Sequence, residues 1–319
     1  MIGLSEIQAA AERLRGHIRR TPLLSPSPSR QPALPEAGGS LLLKLENLQV
    51  TGSFKVRGAI NKVLTLSPEE VQRGLVTASG GNHGLGVAYA GHLAGTKASI
   101  FLPLSAPPAK AEKLREWGAG VYFTGAGWDE ANAAALTAAE RHGWIYVHPF
   151  ADPATIAGQG TVGLEILEDA PDTEVLVMAV GGGGLIAGVA AAAKALKPGL
   201  RVVGVEPVGA PTLYESLRAG KVIELPRVAT AAKTLAPRKS DAMNLELIAR
   251  HVDEIVLVTD EEMQSAARWL WTETNLGVEL AASAALAALQ TGKVKLAPHA
   301  KVCAIVCGAG LDGIETASS

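Results

Sequence analysis

The chain has 319 residues, 48% of them hydrophobic and 4% aromatic, with 35 Gly and 18 Pro. Its 29 basic and 31 acidic side chains leave a formal net charge of -2, which argues against a basic, base-stacking nucleic-acid surface and for a small-molecule ligand. The length predicts about two globular domains, and no apolar run is long enough to span a membrane.

The elements follow in chain order. MIGLSEIQAAAERLRGHIRR places Leu4, Ile7, Ala11, Leu14 and Ile18 on one helical face, while Glu6 and Glu12 interrupt any targeting pattern. A Pro- and Ser-rich connection (residues 21–39) leads to a strand at LLLKLE and then to TGSFKVRGAINK, residues 51–62. There Gly52 and Ser53 read as turn and N-cap, and Val56, Ile60, Val63 and Leu64 recur at helical spacing. Lys55 therefore falls in the first turn of a helix. The positive end of the helix dipole and burial beside Phe54 both disfavour its ammonium and predict a lowered pKa. Taken alone, this lysine could equally lay its stem over Phe54 and keep its charge in water.

Next, LVTAS, ASIFLPL, GVYFT and WIYVH read as four strands, the first three each followed by a helical run. They predict a small parallel α/β unit over residues 73–146. Strands near VLVMAV, RVVGVE, EIVLV and VCAIV form a second block, with residues 1–72 and 147–319 making the larger domain. The fold class is thus α/β, two open and mainly parallel sheets, with the ligand in the cleft between them. KTLAPRKSDAMN, residues 233–244, reads as a charged surface loop. Cys303 and Cys307 stand four apart without the His or Cys partners of a zinc site, so no metal site is predicted and a reducing cytoplasm fits.

Two strand-to-helix turns carry the chemistry. Gly181 to Gly184 present a row of backbone N–H groups at a helix start, which suits a phosphate. Ser79-Gly80-Gly81-Asn82-His83 adds a hydroxyl, an amide and an imidazole, which suits a carboxylate. Each turn by itself would also be explained by backbone angles that need glycine. Gly182 to Ala187 fits G-x-G-x-x-A, with Glu206 ending the next strand, so a dinucleotide-binding module or NAD enzyme is an alternative. A phosphate-bearing aldehyde cofactor accounts for Lys55 and both turns together.

SFKVRGA, SGGNHGLGVA, IAGQGTVGLEI (156–166) and GGGGLIAGVA, with RTPLL, HPF, VEP, VTDEEM and VEL in the same order, resemble the pyridoxal-phosphate enzymes of the tryptophan-synthase-β-like fold, fold type II. The likeness runs nearly end to end and is nearest the serine/threonine dehydratase and serine racemase branch. It implies pyridoxal 5'-phosphate, with Lys55 as its Schiff-base lysine and Phe54 as a wall against its ring. Asn82 would bond the cofactor's phenolic oxygen, and Ser79, Gly81, Asn82 and His83 would receive the substrate carboxylate. Gly181, Gly182, Gly183, Gly184 and Leu185 would hold phosphate, while Glu279 and Cys307 would stand by the far side of the ring, Cys307 facing its nitrogen.

The implied activity is that of a lyase of amino-acid metabolism: dehydration and deamination of L-threonine or L-serine to a 2-oxo acid and ammonia. The alternatives on the same fold are an amino-acid racemase and a 3-hydroxyaspartate dehydratase, the last suggested by Lys233, Arg238 and Lys239. The likeness also implies a cytoplasmic homo-oligomer, typically a dimer. Departures from the family pattern are Gly80 for the usual Ala or Ser, Cys-Gly-Ala-Gly at 307–310, LAASA after Glu279, Ala232-Lys233-Thr234 for Ala-Asp-Gly, and no acidic cluster after VEP.

Overall fold

The computed structural model describes residues 2–34 and 39–314; residues 35–38 of the Pro- and Ser-rich connection lie outside them. Ten strands occur in that span: β1 (Leu23–Leu24), β2 (Ser40–Leu45), β3 (Leu75–Ala78), β4 (Ala98–Leu102), β5 (Gly120–Phe123), β6 (Ile145–Tyr146), β7 (Val175–Ala179), β8 (Arg201–Pro207), β9 (Glu254–Val258) and β10 (Lys301–Val306). The α-helices are α1 (Leu4–Leu14), α2 (Lys55–Leu64), α3 (Pro68–Arg73), α4 (Asn82–Leu93), α5 (Pro108–Glu116), α6 (Trp128–His142), α7 (Pro153–Asp169), α8 (Gly184–Leu196), α9 (Thr212–Ala219), α10 (Ala242–His251), α11 (Asp260–Thr274) and α12 (Ala284–Gln290).

Two sheets result. The larger runs β1-β2-β10-β7-β8-β9, parallel except for β1, and the smaller runs β5-β4-β3-β6, all parallel. The edge strand β5 is buried at none of its positions, whereas the inner strands are nearly continuous apolar runs, β7 buried at all five positions and β3 at all four. That is the pattern of strands covered on both faces. The large sheet's core also takes Ile7 and Ala10 from α1 and a row of alanines from α8 and α12. The small sheet's core is not confined to its own segment, because Val56, Ala59, Ile60 and Val63 of α2 pack with Leu75, Leu85, Ile100 and Leu114.

Three sequence-level expectations give way to the structure. The N-cap of α2 is Phe54 rather than Ser53, because Ser53 is extended and bridged to Gly308; its Oγ still accepts the Lys55 N–H at 3.4 Å. Leu64 is exposed at the end of α2, so the buried stripe stops at Val63. In α1, Ala10 takes the buried place expected of Ala11, and Ile18 lies beyond the end of the helix. Among the described residues no helix is long and apolar enough to cross a membrane.

Candidate active site

Helix α2 is pinned before its lysine is considered. A Cβ on Gly58 would lie 2.5 Å from Gln159 Nε2, and one on Gly158 would lie 2.6 Å from the Arg57 carbonyl. Only glycine at both positions lets α2 and α7 approach so closely. Beside that contact lies a buried ionic cluster. Arg57 donates to both oxygens of Glu46 at 2.8 Å and to both of Glu165 at 2.7 and 2.9 Å, while Lys44 Nζ donates to Glu165 and to the Thr21 carbonyl at 2.6 Å. Two cations thus face two carboxylates, and Arg57, Lys44 and Glu46 are fully buried. Such a cluster tolerates few displacements, since each broken pair strands a charge.

Lys55 begins this helix. Its Nζ donates to the Pro149 carbonyl at 2.6 Å and stands 5.3 Å from the centre of the Phe54 ring. Burial pushes its pKa down from 10.5 to about 8, against the opposing pull of Cys307 and Glu279. No carboxylate is ion-paired with it among the described residues. An amine held by one neutral carbonyl and partly desolvated is prepared to act as a nucleophile or base.

Several helix starts in this chain are closed by side chains. Ser67 caps α3, Asp152 caps α7, Asp241 caps α10, Thr259 caps α11, and Glu206 accepts the Leu213 and Tyr214 N–H groups of α9. Helices α2, α5, α6 and α12 start without a side-chain cap; α4 and α8 also do so, at the two glycine turns, at Gly81 and Gly183. Their first N–H groups are left for a ligand, as an anion site requires. Gly183 has φ of +90°, a left-handed conformation that glycine alone adopts at little cost.

The glycine loop is walled on every side. A Cβ on Gly182 would fall 2.3 Å from the Phe150 ring, one on Gly184 2.8 Å from the Phe150 carbonyl, and one on Gly181 2.9 Å from the Thr234 carbonyl. Ser240 Oγ and Asn244 Nδ2 donate to the Gly182 carbonyl at 2.9 and 2.6 Å, which fixes the direction of that peptide. The side chain of Leu185 turns into the core, leaving its backbone as the part that can meet an anion. The Ala232-Lys233-Thr234 segment therefore does lie against this loop.

The second turn faces the large sheet's C-terminal edge. Asn82 Nδ2 donates to both oxygens of Glu279 at 2.9 and 3.0 Å, joining the start of α4 to the segment before α12. Burial raises the Glu279 carboxyl to about 7, against the pull of Asn82 and Lys55. Cys307 is buried nearby, and its carbonyl accepts the Phe54 N–H at 3.3 Å; burial and Glu279 hold its thiol well above the usual range. The imidazole of His83 turns away from the turn: its Nε2 lies 2.9 Å from the Val147 carbonyl, and burial lowers its pKa to about 3. What His83 offers the turn is its backbone N–H. Ser79 Oγ accepts from the Gly81 N–H at 3.3 Å, and Gly81 has open space where a Cβ would be.

Thus Phe54, Lys55, Asn82, Glu279 and Cys307 come together, with the Gly181–Gly184 loop joined to them through Pro149 and Phe150. Two sequence readings lose support. Glu206 does not wait for a ribose, since it is fully buried and both its oxygens cap α9. Lys233, Arg238 and Lys239 are not buried in the cleft; Lys233 donates to the Thr230 carbonyl, and Arg238 pairs with Glu224 at 3.0 Å and Asp129 at 3.8 Å. Sequence reasoning assigned no role to His148, Pro149, Ser240 or Asn244; the HPF motif was the only available signal. Among the described residues, no three His, Cys, Asp or Glu side chains are grouped to hold a metal ion.

Comparison with known proteins gives the family. The profile of the family described as "Pyridoxal-phosphate dependent enzyme" matches residues 14–308. The L-threonine ammonia-lyase of Thermotoga maritima is 44% identical over 97% of this chain and 76% of that protein. Among solved structures, a threonine deaminase of T.th. superimposes with a TM-score of 0.89 at 36% identity, covering 99% of this chain and 100% of its own. Maize serine racemase superimposes with a TM-score of 0.91 at 33% identity, covering 96% and 93%.

Proposed function

Since the chain belongs to the pyridoxal-phosphate-dependent enzymes, we propose that it eliminates water from L-threonine or L-serine, giving an unsaturated amine that takes up water again as it hydrolyses to the 2-oxo acid and ammonia. The observation that carries this reading is the desolvated Lys55 amine, held by one carbonyl in a chain whose two glycine turns start helices without side-chain caps. The residues fit the cofactor. Gly181, Gly182, Gly183, Gly184 and the Leu185 backbone would hold its phosphate, Lys55 its aldehyde carbon, Phe54 one face of its ring, and Asn82, Glu279 and Cys307 its polar edge. When bound, pyridoxal phosphate supplies an aldehyde for amines and a ring that draws electrons from the substrate's Cα.

The chain's own groups supply the rest. The N–H groups at Gly81, Asn82 and His83, with Ser79, bind and orient the substrate carboxylate. The Lys55 amine takes the Cα proton, its lowered pKa keeping a useful fraction neutral near the operating pH. The β-hydroxyl then leaves as water, and the unsaturated product hydrolyses after release. Support for threonine or serine over an acidic substrate comes from the partners these cations already have, Glu224 and Asp129 for Arg238 and the Thr230 carbonyl for Lys233. A racemase is the second reading, favoured by the likeness to maize serine racemase, but Gly80 offers no side chain to return a proton.

We assign residues 1–72 and 147–319 to the larger domain and 73–146 to the smaller, with the cleft between them as the site. The working form would be a cytoplasmic homodimer, a setting that suits two buried free thiols. The test is a panel of β-hydroxy amino acids offered to purified, cofactor-loaded protein, with 2-oxo acid and ammonia measured together. Equimolar release from threonine or serine is the expected result. No product from either, or D-serine formed as fast as 2-oxo acid, would reject the reading.

A further inference from the structure

His148 follows β6, and its two ring nitrogens have different surroundings. Nδ1 accepts the Phe150 N–H at 3.2 Å and the Ala151 N–H at 2.8 Å. Two donors aimed at Nδ1 require a lone pair there, so the proton of the neutral ring sits on Nε2. Burial and the Lys55 charge lower the pKa of this ring to about 4, against Asp241 and Asp152, so it stays neutral at the pH where Lys55 works. The residue is half-buried, and its Nε2–H meets no protein acceptor among the described residues.

The location of this donor gives it meaning. The next residue, Pro149, holds the Lys55 amine. The ring meets Phe150 edge-on at 4.7 Å, and Phe150 is the wall over Gly182 and Gly184. Strand β6 lies beside β3, whose C-terminal end delivers the Ser79–His83 turn. Ligands of parallel sheets gather at such ends. The Nε2–H comes with any neutral imidazole that accepts at Nδ1; its position among these groups is what fits it to a bound substrate.

We propose that His148 donates from Nε2 to the β-hydroxyl oxygen of the substrate, orienting the Cβ–O bond and stabilising the charge that builds on oxygen as the bond breaks. The inference rests on the dehydratase reading. In the step, Lys55 Nζ takes the Cα proton, and the electrons of that C–H bond become the Cα–Cβ π bond. The Cβ–O pair leaves with oxygen, which takes the proton carried by Lys55 and departs as water. His148 keeps its own proton throughout.

The test compares L-serine with β-chloroalanine, whose chloride leaves without a donor, in cofactor-loaded protein. His148→Asn places its amide oxygen where Nδ1 was, so the Phe150 and Ala151 N–H groups keep an acceptor while the reaching N–H is lost. His148→Gln extends an amide nitrogen toward the former Nε2. For His148→Asn, kcat on serine should fall about 10²-fold while kcat on β-chloroalanine stays within about threefold, and His148→Gln should recover part of the loss. Equal falls on both substrates, or an unchanged serine rate, would overturn the role of His148 alone. Failure of the parent protein to eliminate from either substrate would overturn the dehydratase reading beneath it.

Discussion

Gly182→Ala tests the phosphate cradle, because the structure leaves the new methyl group nowhere to go. Its Cβ would lie 2.3 Å from Phe150 Cγ and Cδ1 and 2.7 Å from Cε1, about 1 Å inside an ordinary carbon–carbon contact. The loop cannot simply rotate, since the Gly182 carbonyl is held by Ser240 and by Asn244, which also donates to the Phe150 carbonyl. Either the ring shifts or those bonds break. Overpacking of this kind costs about 1–3 kcal/mol. If half or more of that cost falls on the cofactor-bound state, affinity drops by roughly 2- to 100-fold. The assay is titration of cofactor-free protein with pyridoxal phosphate, followed by absorbance, with the Tm recorded with and without cofactor. Gly81→Ala is the control, since nothing lies within 4 Å of its Cβ position, and it should keep cofactor affinity. A Gly182→Ala protein that binds cofactor as tightly as the parent would show that this loop does not hold the phosphate.

Lys55→Ala should fold, retain part of its cofactor-dependent rise in Tm through the glycine loop, and lose roughly 10²- to 10⁴-fold or more in turnover; near-parental kcat would show that another group is the base. In cofactor-free protein, the Lys55 amine should acylate with a midpoint at about 8, because it is protonated and inert below that value and free above it; a midpoint at the ordinary 10.5, read by peptide mapping, would refute the desolvated amine. Gly80→Ser meets only Leu102 Cδ2 at 3.1 Å and Lys110 Cδ at 3.8 Å, both atoms of side chains that can give way, so the variant should fold and raise D-serine formation, measured by chiral chromatography; no change would remove Gly80 as the reason for weak racemisation. Cys307→Ser should stay within about tenfold of parental kcat, whereas Cys307→Asp sets a second buried acid beside Glu279, already raised to about 7, and should lower both Tm and the elimination rate; a faster Cys307→Asp enzyme would mean the thiol lies away from the reacting ring.

Both sheets were legible because their strands are short, apolar and bounded by glycine or proline, a pattern that survives without knowledge of neighbours. The glycine turns were legible for the same local reason. What stayed hidden depends on contacts between distant segments. Ser53 is a good capping residue by composition, but the chain uses it to bridge Gly308, and Phe54 starts the helix instead. The imidazole of His83 reads as a ligand to the turn until Val147, which follows another strand, takes its Nε2. Asn82 and Glu279 are 197 positions apart, and nothing in either segment announces their bond. That the glycine turns start α4 and α8 without a side-chain cap also needs coordinates, since it rests on what their first N–H groups lack.

The motifs that carry the family likeness divide into two kinds once their contacts are known. SGGNH and GGGG line the cleft. RTPLL, the arginine of SFKVRGA and the GTVGLE of α7 instead meet around Glu46, just after β2: Thr21 Oγ1 bonds Glu46 at 2.5 Å, and Arg57 bridges Glu46, Thr161 and Glu165. A buried cluster of this sort is seldom a net source of stability against an apolar replacement, because both charges of each pair are taken from water. Its use here is geometric. Lys55 stands two residues from Arg57, on a helix whose other face is shared with the small sheet's core. Apolar packing alone would let that helix slide or rotate by a fraction of a turn at little cost, whereas five directional bonds to one guanidinium do not. In the role proposed for it, an amine that reaches both a substrate's Cα and a cofactor carbon would need its helix fixed to a fraction of an ångström. Three of the motifs, RTPLL, SFKVRGA and IAGQGTVGLEI, supply residues to that constraint.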